Sequence, residues 1–324
     1  MRGSLRAHLA DGRLSPEKPL WRDAEEFLGF VDAAGMGSRI HRDRLRLTGF
    51  DLQRFGSAAF LNLAAAARLI IAAECSAFLN GVDASRSEQW GPYIRWARGL
   101  GPNNTIITFN YDLIPETLAS LGSKLFVMEP SNLPTTDSAQ VLKVHGSVNW
   151  VRNGAPLSAF PINDKCSYLD LELERVMATP GPTKASTVRE HLNGVWAAAE
   201  RAIREAGTVV FIGYRFPPSD AESRNRITLA LIQNESPYLS IHTVLGPRPT
   251  EDSTRLTWLL TQAVRRGNRA EFVPTREIQR PDTSRGDRSF NIVPHPAWAE
   301  DFLDASAVGH MMEAWRFLPG GRGV

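Results

Sequence analysis

Three short stretches place chemically capable residues where an apolar run gives way to a turn. The first is Thr108-Phe109-Asn110-Tyr111-Asp112, closing the run at 106–109. The second is His145-Gly146-Ser147, with Asn149-Trp150 just beyond. The third is Gly213-Tyr214-Arg215, followed by Pro217-Pro218-Ser219-Asp220. An amide such as Asn110 can orient a water molecule without acting as a strong base. An imidazole such as His145 titrates near neutrality and can take a proton from a hydroxyl or a water. Each residue also has a plain structural use. A histidine after a strand is commonly a satisfied core residue, an asparagine beside a turn bonds its own backbone, Asp220 suits a helix N-terminus, and Gly213 permits close backbone approach. Their occurrence together, in this order, favours chemistry. No metal is expected: Cys75 and Cys166 stand 91 positions apart, neither lies in a CxxC pair, and no Cys/His/Asp set clusters in the sequence.

The surrounding pattern supplies elements to hold these groups. From residue 25 to about 100 the sequence reads as helical, most strongly at 58–79, which is apolar nearly all round and is expected to be a buried helix. Trp90, Tyr93 and Trp96 follow at helix spacing, as core packing first and a ligand wall second. After Gly101-Pro102-Asn103-Asn104 the pattern changes to short apolar runs separated by helical stretches. Strands are expected at 106–109, 125–128, 141–144, 208–213, 239–245 and 270–273. Helices are expected at 187–206, from Ser219 or Asp220 to 233, and at 251–265. Residues 168–177 read as a helix, 276–290 as an Arg-containing solvated loop, and 298–317 as one or two helices. Strands alternating with helices of this length predict an α/β fold, Rossmann-like, with an open parallel sheet covered on both faces and a helical N-terminal region. The domain division is 1–100, a helical lid or remnant of a first Rossmann half; 101–275, the nucleotide-binding core; and 276–324, the loop and C-terminal helices. In such a sheet ligands bind outside the carboxyl ends of the strands, where all three polar stretches would open.

The 324 residues carry 37 Lys plus Arg against 35 Asp plus Glu, a net charge of +2, which gives no reason to expect direct nucleic-acid binding. Arg2, Arg6, Asp11, Arg13, Glu17 and Lys18 interrupt the first twenty residues, and no apolar segment of 18 or more residues is expected. A cytoplasmic protein without membrane contact is expected.

TFNYD at 108–112, KVHGSVNW at 143–150 and FIGYRFPPSD at 211–220 together resemble the SIR2-like domains of bacterial proteins, sirtuin relatives that include NAD+ hydrolases of antiphage defence. ATPGPTKAS at 178–186 and the helix with Trp196 resemble the proline-rich stretch and helix that precede the third motif there. The resemblance spans about residues 100–245. It implies that NAD+ is the substrate and that Asn110 contacts the ribose next to nicotinamide and helps place a water. It also implies that Asp112 supports the ribose and loop, and that His145 is the base toward the ribose hydroxyls. Gly213 and Tyr214 would approach the adenosine half. Thr108, Phe109, Tyr111, Gly146, Ser147, Arg215 and Asp220 complete the expected NAD+ contacts.

Two departures stand out. The family carries a strand followed by GAGxS, which cradles phosphate, and no such segment lies near the start of this chain. Gly35-Met36-Gly37-Ser38 is the nearest glycine cluster. Arg215 replaces the usual Ser and could reach a phosphate or block the adenosine side. The chemistry suits the borrowed roles: nicotinamide leaves as a neutral base from a cationic pyridinium. Cleavage therefore needs a stabilised oxocarbenium-like sugar and a positioned nucleophile more than an acid. The expected function is an NAD+ glycohydrolase giving nicotinamide and ADP-ribose, an NAD-depleting effector gated by homo-oligomerisation or a partner defence subunit. Nucleic acid would be sensed only through such a partner. The alternative is an inactive nucleotide-binding or scaffold subunit. Deacylation is disfavoured because the sirtuin zinc module needs four cysteines.

Overall fold

The computed structural model describes residues 24–47, 52–56, 58–77, 87–129, 137–152, 158–159, 174–217, 220–248, 250–273, 282 and 286–307. Helices come first: α1 Ala24–Gly35, α2 Arg39–Leu47, α3 Ala59–Ala77 and α4 Ser87–Arg98. Then come β1 Thr105–Thr108, α5 Ile114–Ser120, β2 Leu125–Val127, β3 Ala139–Lys143, β4 Gly146–Arg152, β5 Ser158–Ala159 and β6 Glu174–Met177. A short α6, Lys184–Thr187, passes through a π-helical turn at Val188–Leu192 into α7 Asn193–Glu205. The chain closes with β7 Thr208–Ile212, α8 Ala221–Ile232, β8 Tyr238–Val244, α9 Glu251–Arg266, β9 Ala270–Glu271, β10 Ser289–His295 and α10 Ala299–Ala307.

The fold is α/β, with parallel sheets flanked by helices and a helical N-terminal region, a generic Rossmann-like architecture. Seven parallel strands form two hydrogen-bonded sets, ordered β2-β3-β1 and β7-β8-β10-β9. The runs TIIT and TVVFI are rich in β-branched residues and suit this pleated, half-buried setting. One apolar core joins the two sets: Leu142 and Val144 pack with Phe211, Leu239 and Ile241 under Val195, Trp196, Ala199 and Ile203 of α7. Those α7 positions recur at helical spacing and form a single stripe. On the other face α4 turns Tyr93 and Trp96 toward Ile106 and Val141 of one set and Val210, Ile212 and Val244 of the other. Trp90 is therefore a core residue, and Tyr93 and Trp96 pack half-buried against the core.

Several expectations need correction. Residues 174–177 are not helical. They form β6, which pairs antiparallel with β4 in a small third sheet beside the HG stretch; residues 168–173 lie outside the described set. Gly146, at φ +82°, makes this pairing possible, because a Cβ there would lie 2.0 Å from the Val176 carbonyl oxygen. Residues 289–295 form β10, which lies between β8 and β9, where only a loop was expected up to residue 290. Helix α3 is not wholly buried. Leu63, Ala64, Ala67 and Ala72 are covered while Leu61 is exposed. The expectation of no apolar segment of 18 or more residues also fails: by length and composition α3 could cross a membrane over 59–76, where 22% of the residues are buried in the fold, though it carries Arg68 and Glu74. Gly35–Ser38 joins α1 to α2, and residues 30–34 that precede it are helical, so this cluster follows no strand. Helix α10 covers 299–307; Met311, Met312 and Trp315 lie outside the described residues, as does Cys166.

Candidate functional site

The two sets of parallel strands meet at β1 and β7, and the polar stretches gather at the carboxyl ends there. Phe109, just after β1, stacks on Tyr214, just after β7, with centroids 4.0 Å apart and planes 3° from parallel. His145 follows β3 and meets the Phe109 ring edge-on at 5.0 Å. The switch between sets therefore brings the motifs together, as open α/β sheets do.

Asp220 organises the centre. Its Oδ1 accepts from Lys184 Nζ at 2.6 Å and from Ser223 Oγ at 2.5 Å, and lies 3.5 Å from His145 Nε2. Its Oδ2 accepts from the Tyr214 hydroxyl at 2.9 Å. Asp220 stands at the N-terminus of α8 but makes no side-chain cap bond, so its carboxylate serves the centre and not the helix. Burial pushes its carboxyl up, but hydrogen bonds and charge from His145, Lys184 and Ser223 outweigh burial and hold it well below the usual carboxylate range. Tyr214 is pushed the other way, its phenol raised by burial and by Asp220.

His145 Nε2 lies 3.1 Å from Ser223 Oγ. The single hydroxyl proton of Ser223 goes to Asp220, so Nε2–H must donate to Ser223. The basic nitrogen of a neutral His145 is then Nδ1. This also disposes of a serine-nucleophile triad: Ser223 is 2% exposed, and the imidazole nitrogen facing it already carries a proton.

Lys143 fixes the loop after β1. Its side chain is fully buried, and Nζ donates to Glu116 Oε1 at 2.9 Å, Ser147 Oγ at 2.6 Å and the Asp112 carbonyl oxygen. The Tyr111 hydroxyl donates to the Ala178 carbonyl at 2.9 Å. Asp112 Oδ1 accepts from Ile114 N at 3.0 Å, which starts α5; its observed bond is a turn bond. Asn110 is exposed just after Phe109, and its backbone N–H is held by Thr108 Oγ1 at 3.1 Å. Gly213 adopts φ +70° as the chain leaves β7. Arg215 is exposed and turned to Asp252 of α9 at 3.2 Å.

The sequence therefore pointed to Phe109, His145, Tyr214 and Asp220, which converge, with Asn110 beside them. Thr108, Asp112, Gly146 and Ser147 shape the local backbone, and Arg215 is engaged elsewhere. Lys184, Ser223 and Lys143 were missed. Only Lys143 left a signal, as a charge inside the apolar strand VLKV. Among the described residues no group of three or more His, Cys, Asp or Glu could hold a metal ion.

A separate cleft of about 410 Å³ lies between α3 and the 174–191 stretch, lined by Arg68, Leu69, Arg175, Met177, Ser186 and His191 among others. Ser186 and Thr187 both donate back to the Thr183 carbonyl, and Glu174 and Glu190 balance its two arginines, so nothing in it selects a ligand.

A scan against protein-family models finds no match to this chain, and a search of curated proteins finds none either.

Proposed function

We propose that the protein is an NAD+ glycohydrolase that cleaves the nicotinamide–ribose bond, with NAD+ bound across the junction of β1 and β7. The observation that supports it is the gathering of His145, Tyr214 and Asp220 around Phe109 at one sheet edge, with the exposed Asn110 next to Phe109 in the chain. In this reading His145 is the base toward a ribose hydroxyl or water, while Asp220 and Ser223 fix its ring. Asn110, exposed just after Phe109, orients the water that attacks the oxocarbenium-like sugar. The same reading makes the protein an NAD-depleting antiphage effector of the cytoplasm, gated by self-association or a partner subunit.

A second reading, a nucleotide-binding or scaffold subunit without turnover, is favoured by one feature. His145, Lys184, Tyr214, Asp220 and Ser223 satisfy one another, and His145, Asp220 and Ser223 are buried. Incubation with NAD+, alone and with proteins encoded by neighbouring genes, separates the two. Hydrolysis gives equimolar NAD+ loss and nicotinamide release, slowed on the order of a hundredfold in folded Asn110→Ala and His145→Ala. Saturable NAD+ binding with no nicotinamide under any condition would establish the scaffold reading.

A further inference from the structure

We propose that Asp32, on helix α1, is a positioning residue for His145, acting through Thr183 and Lys184. The helical N-terminal region is then a working part of the centre and not a lid over it. Asp32 is 4% exposed. Its Oδ2 accepts from Thr183 N at 2.8 Å and from Thr183 Oγ1 at 2.7 Å, and its Oδ1 pairs with Arg68 Nη2 of α3. Arg68 also donates to Thr183 Oγ1 at 2.8 Å and to Thr179 Oγ1 at 3.3 Å. The neighbouring backbone is built for this contact. Gly181 sits at φ +136°, and a Cβ there would lie 2.6 Å from Asp32 Oδ2.

Thr183 is the residue before Lys184, whose Nζ meets Asp220 Oδ1 at 2.6 Å. The segment is thus gripped on one side by Asp32 and Arg68 and on the other by Asp220, with the π-helical turn directly after it. Such turns are local insertions whose register is sensitive to what flanks them. Release of Thr183 would let α6 shift and carry the Lys184 ammonium away from Asp220. The Asp220 carboxylate, no longer neutralised by an ammonium, would then act more strongly on His145 and favour its charged form. Among the described groups around that imidazole are Asp220, with Lys184 and Tyr214 beyond it, and Ser223, Phe109 and Tyr111.

The test is an NMR pH titration of the His145 imidazole in the full chain, for wild type, Asp32→Asn, Thr183→Val and Lys184→Met. Asp43→Asn, a 51% exposed partner in surface pairs on α2, is the control. Thermal melts establish that each variant is folded. The expected result is a His145 midpoint moved to higher pH in Asp32→Asn, Thr183→Val and Lys184→Met, and unmoved in Asp43→Asn. If Asp32→Asn fails to fold, Thr183→Val decides. A wild-type midpoint in the folded Asp32 and Thr183 variants overturns the proposal, as does an unmoved midpoint in Lys184→Met. The kinetic arm alone rests on the hydrolase reading: kcat should fall by roughly tenfold to a hundredfold in Asp32→Asn. Absence of NAD+ turnover in wild type would sink that reading while leaving the titration to stand or fall by itself.

Discussion

Replacing Lys184 by Met should destabilise the fold through one interaction, and the size of the effect should depend on pH in a defined sense. The Lys184 and Asp220 side chains are 14% and 6% exposed, and Nζ and Oδ1 lie 2.6 Å apart. Removing one member of a buried pair costs about 3–5 kcal/mol when the other charge is left bare. Asp220 would not be bare: Ser223 and Tyr214 still donate to it and His145 is adjacent. A single charge-assisted hydrogen bond is worth about 1.5–3 kcal/mol, so a loss of about 2 kcal/mol near neutrality is expected. The sign with pH follows from Asp220, whose folded carboxyl is held low. A depressed carboxyl contributes stability above its unfolded range, near pH 4, and loses it as pH falls through the folded value. The substitution removes part of that depression, so the difference should persist down to about pH 3 and vanish only as pH falls through the low folded range of Asp220. Urea unfolding at about pH 7, and again at the most acid pH at which both proteins still fold, measures both stabilities. A difference below about 0.5 kcal/mol at neutrality, or one that grows in acid, would refute the reasoning.

The exposed Asn110 should be replaceable by Ala with stability changed by no more than about 0.5 kcal/mol, while NAD+ hydrolysis slows on the order of a hundredfold; urea melts and nicotinamide release check the two halves. Gly181→Ala should cost about 1–3 kcal/mol in urea unfolding, because the new methyl meets Asp32 at a φ that side chains rarely adopt. His242 and His295 face each other across β8 and β10, His242 Nδ1 lying 3.2 Å from His295 Nε2. Burial, with His295 adding repulsion, lowers His242 to about 3, and burial lowers His295 to about 4. Both stay neutral in the fold while unfolded histidines charge below about pH 6.5, so this stability is present above that pH and drains as pH falls toward 4. Each contributes up to about 1.4 kcal/mol per pH unit in that window. Urea midpoints at pH 7 and 5 should differ in wild type, and the difference should shrink in His242→Leu.

The strands that carry the motifs were legible because they are short runs dominated by apolar and β-branched residues. TIIT, AQVLK, TVVFI and YLSIHTV read as buried strands without help from the rest of the chain. Strand β10, SFNIVPH, was hidden by Asn291 and Pro294. The proline is tolerated because, among the described residues, β9 pairs only with Ser289 and Phe290 and no strand faces Pro294 on that side. Strands β4 and β6 belong to a small antiparallel sheet with a register shift between Gly146 and Val151, which breaks any simple alternation. At the site, sequence patterns found the residues that end strands. They missed Lys184, Ser223 and Asp32, because a buried polar residue has the same letter as a solvated one. Only the tertiary contacts show that Asp220 binds all its partners on one carboxylate, and that Gly181 is small to admit Asp32.

The most direct test of a single centre at the β1–β7 junction is a double-mutant cycle on nicotinamide release from NAD+. It compares wild type, Asn110→Ala, His145→Ala and the double variant, each assayed in its assembled state. Residues that act as a unit are non-additive: each single change should cost on the order of a hundredfold in rate, and the double variant should be no slower than the slower single. No release from wild type, or losses that multiply in the double variant, would contradict the account.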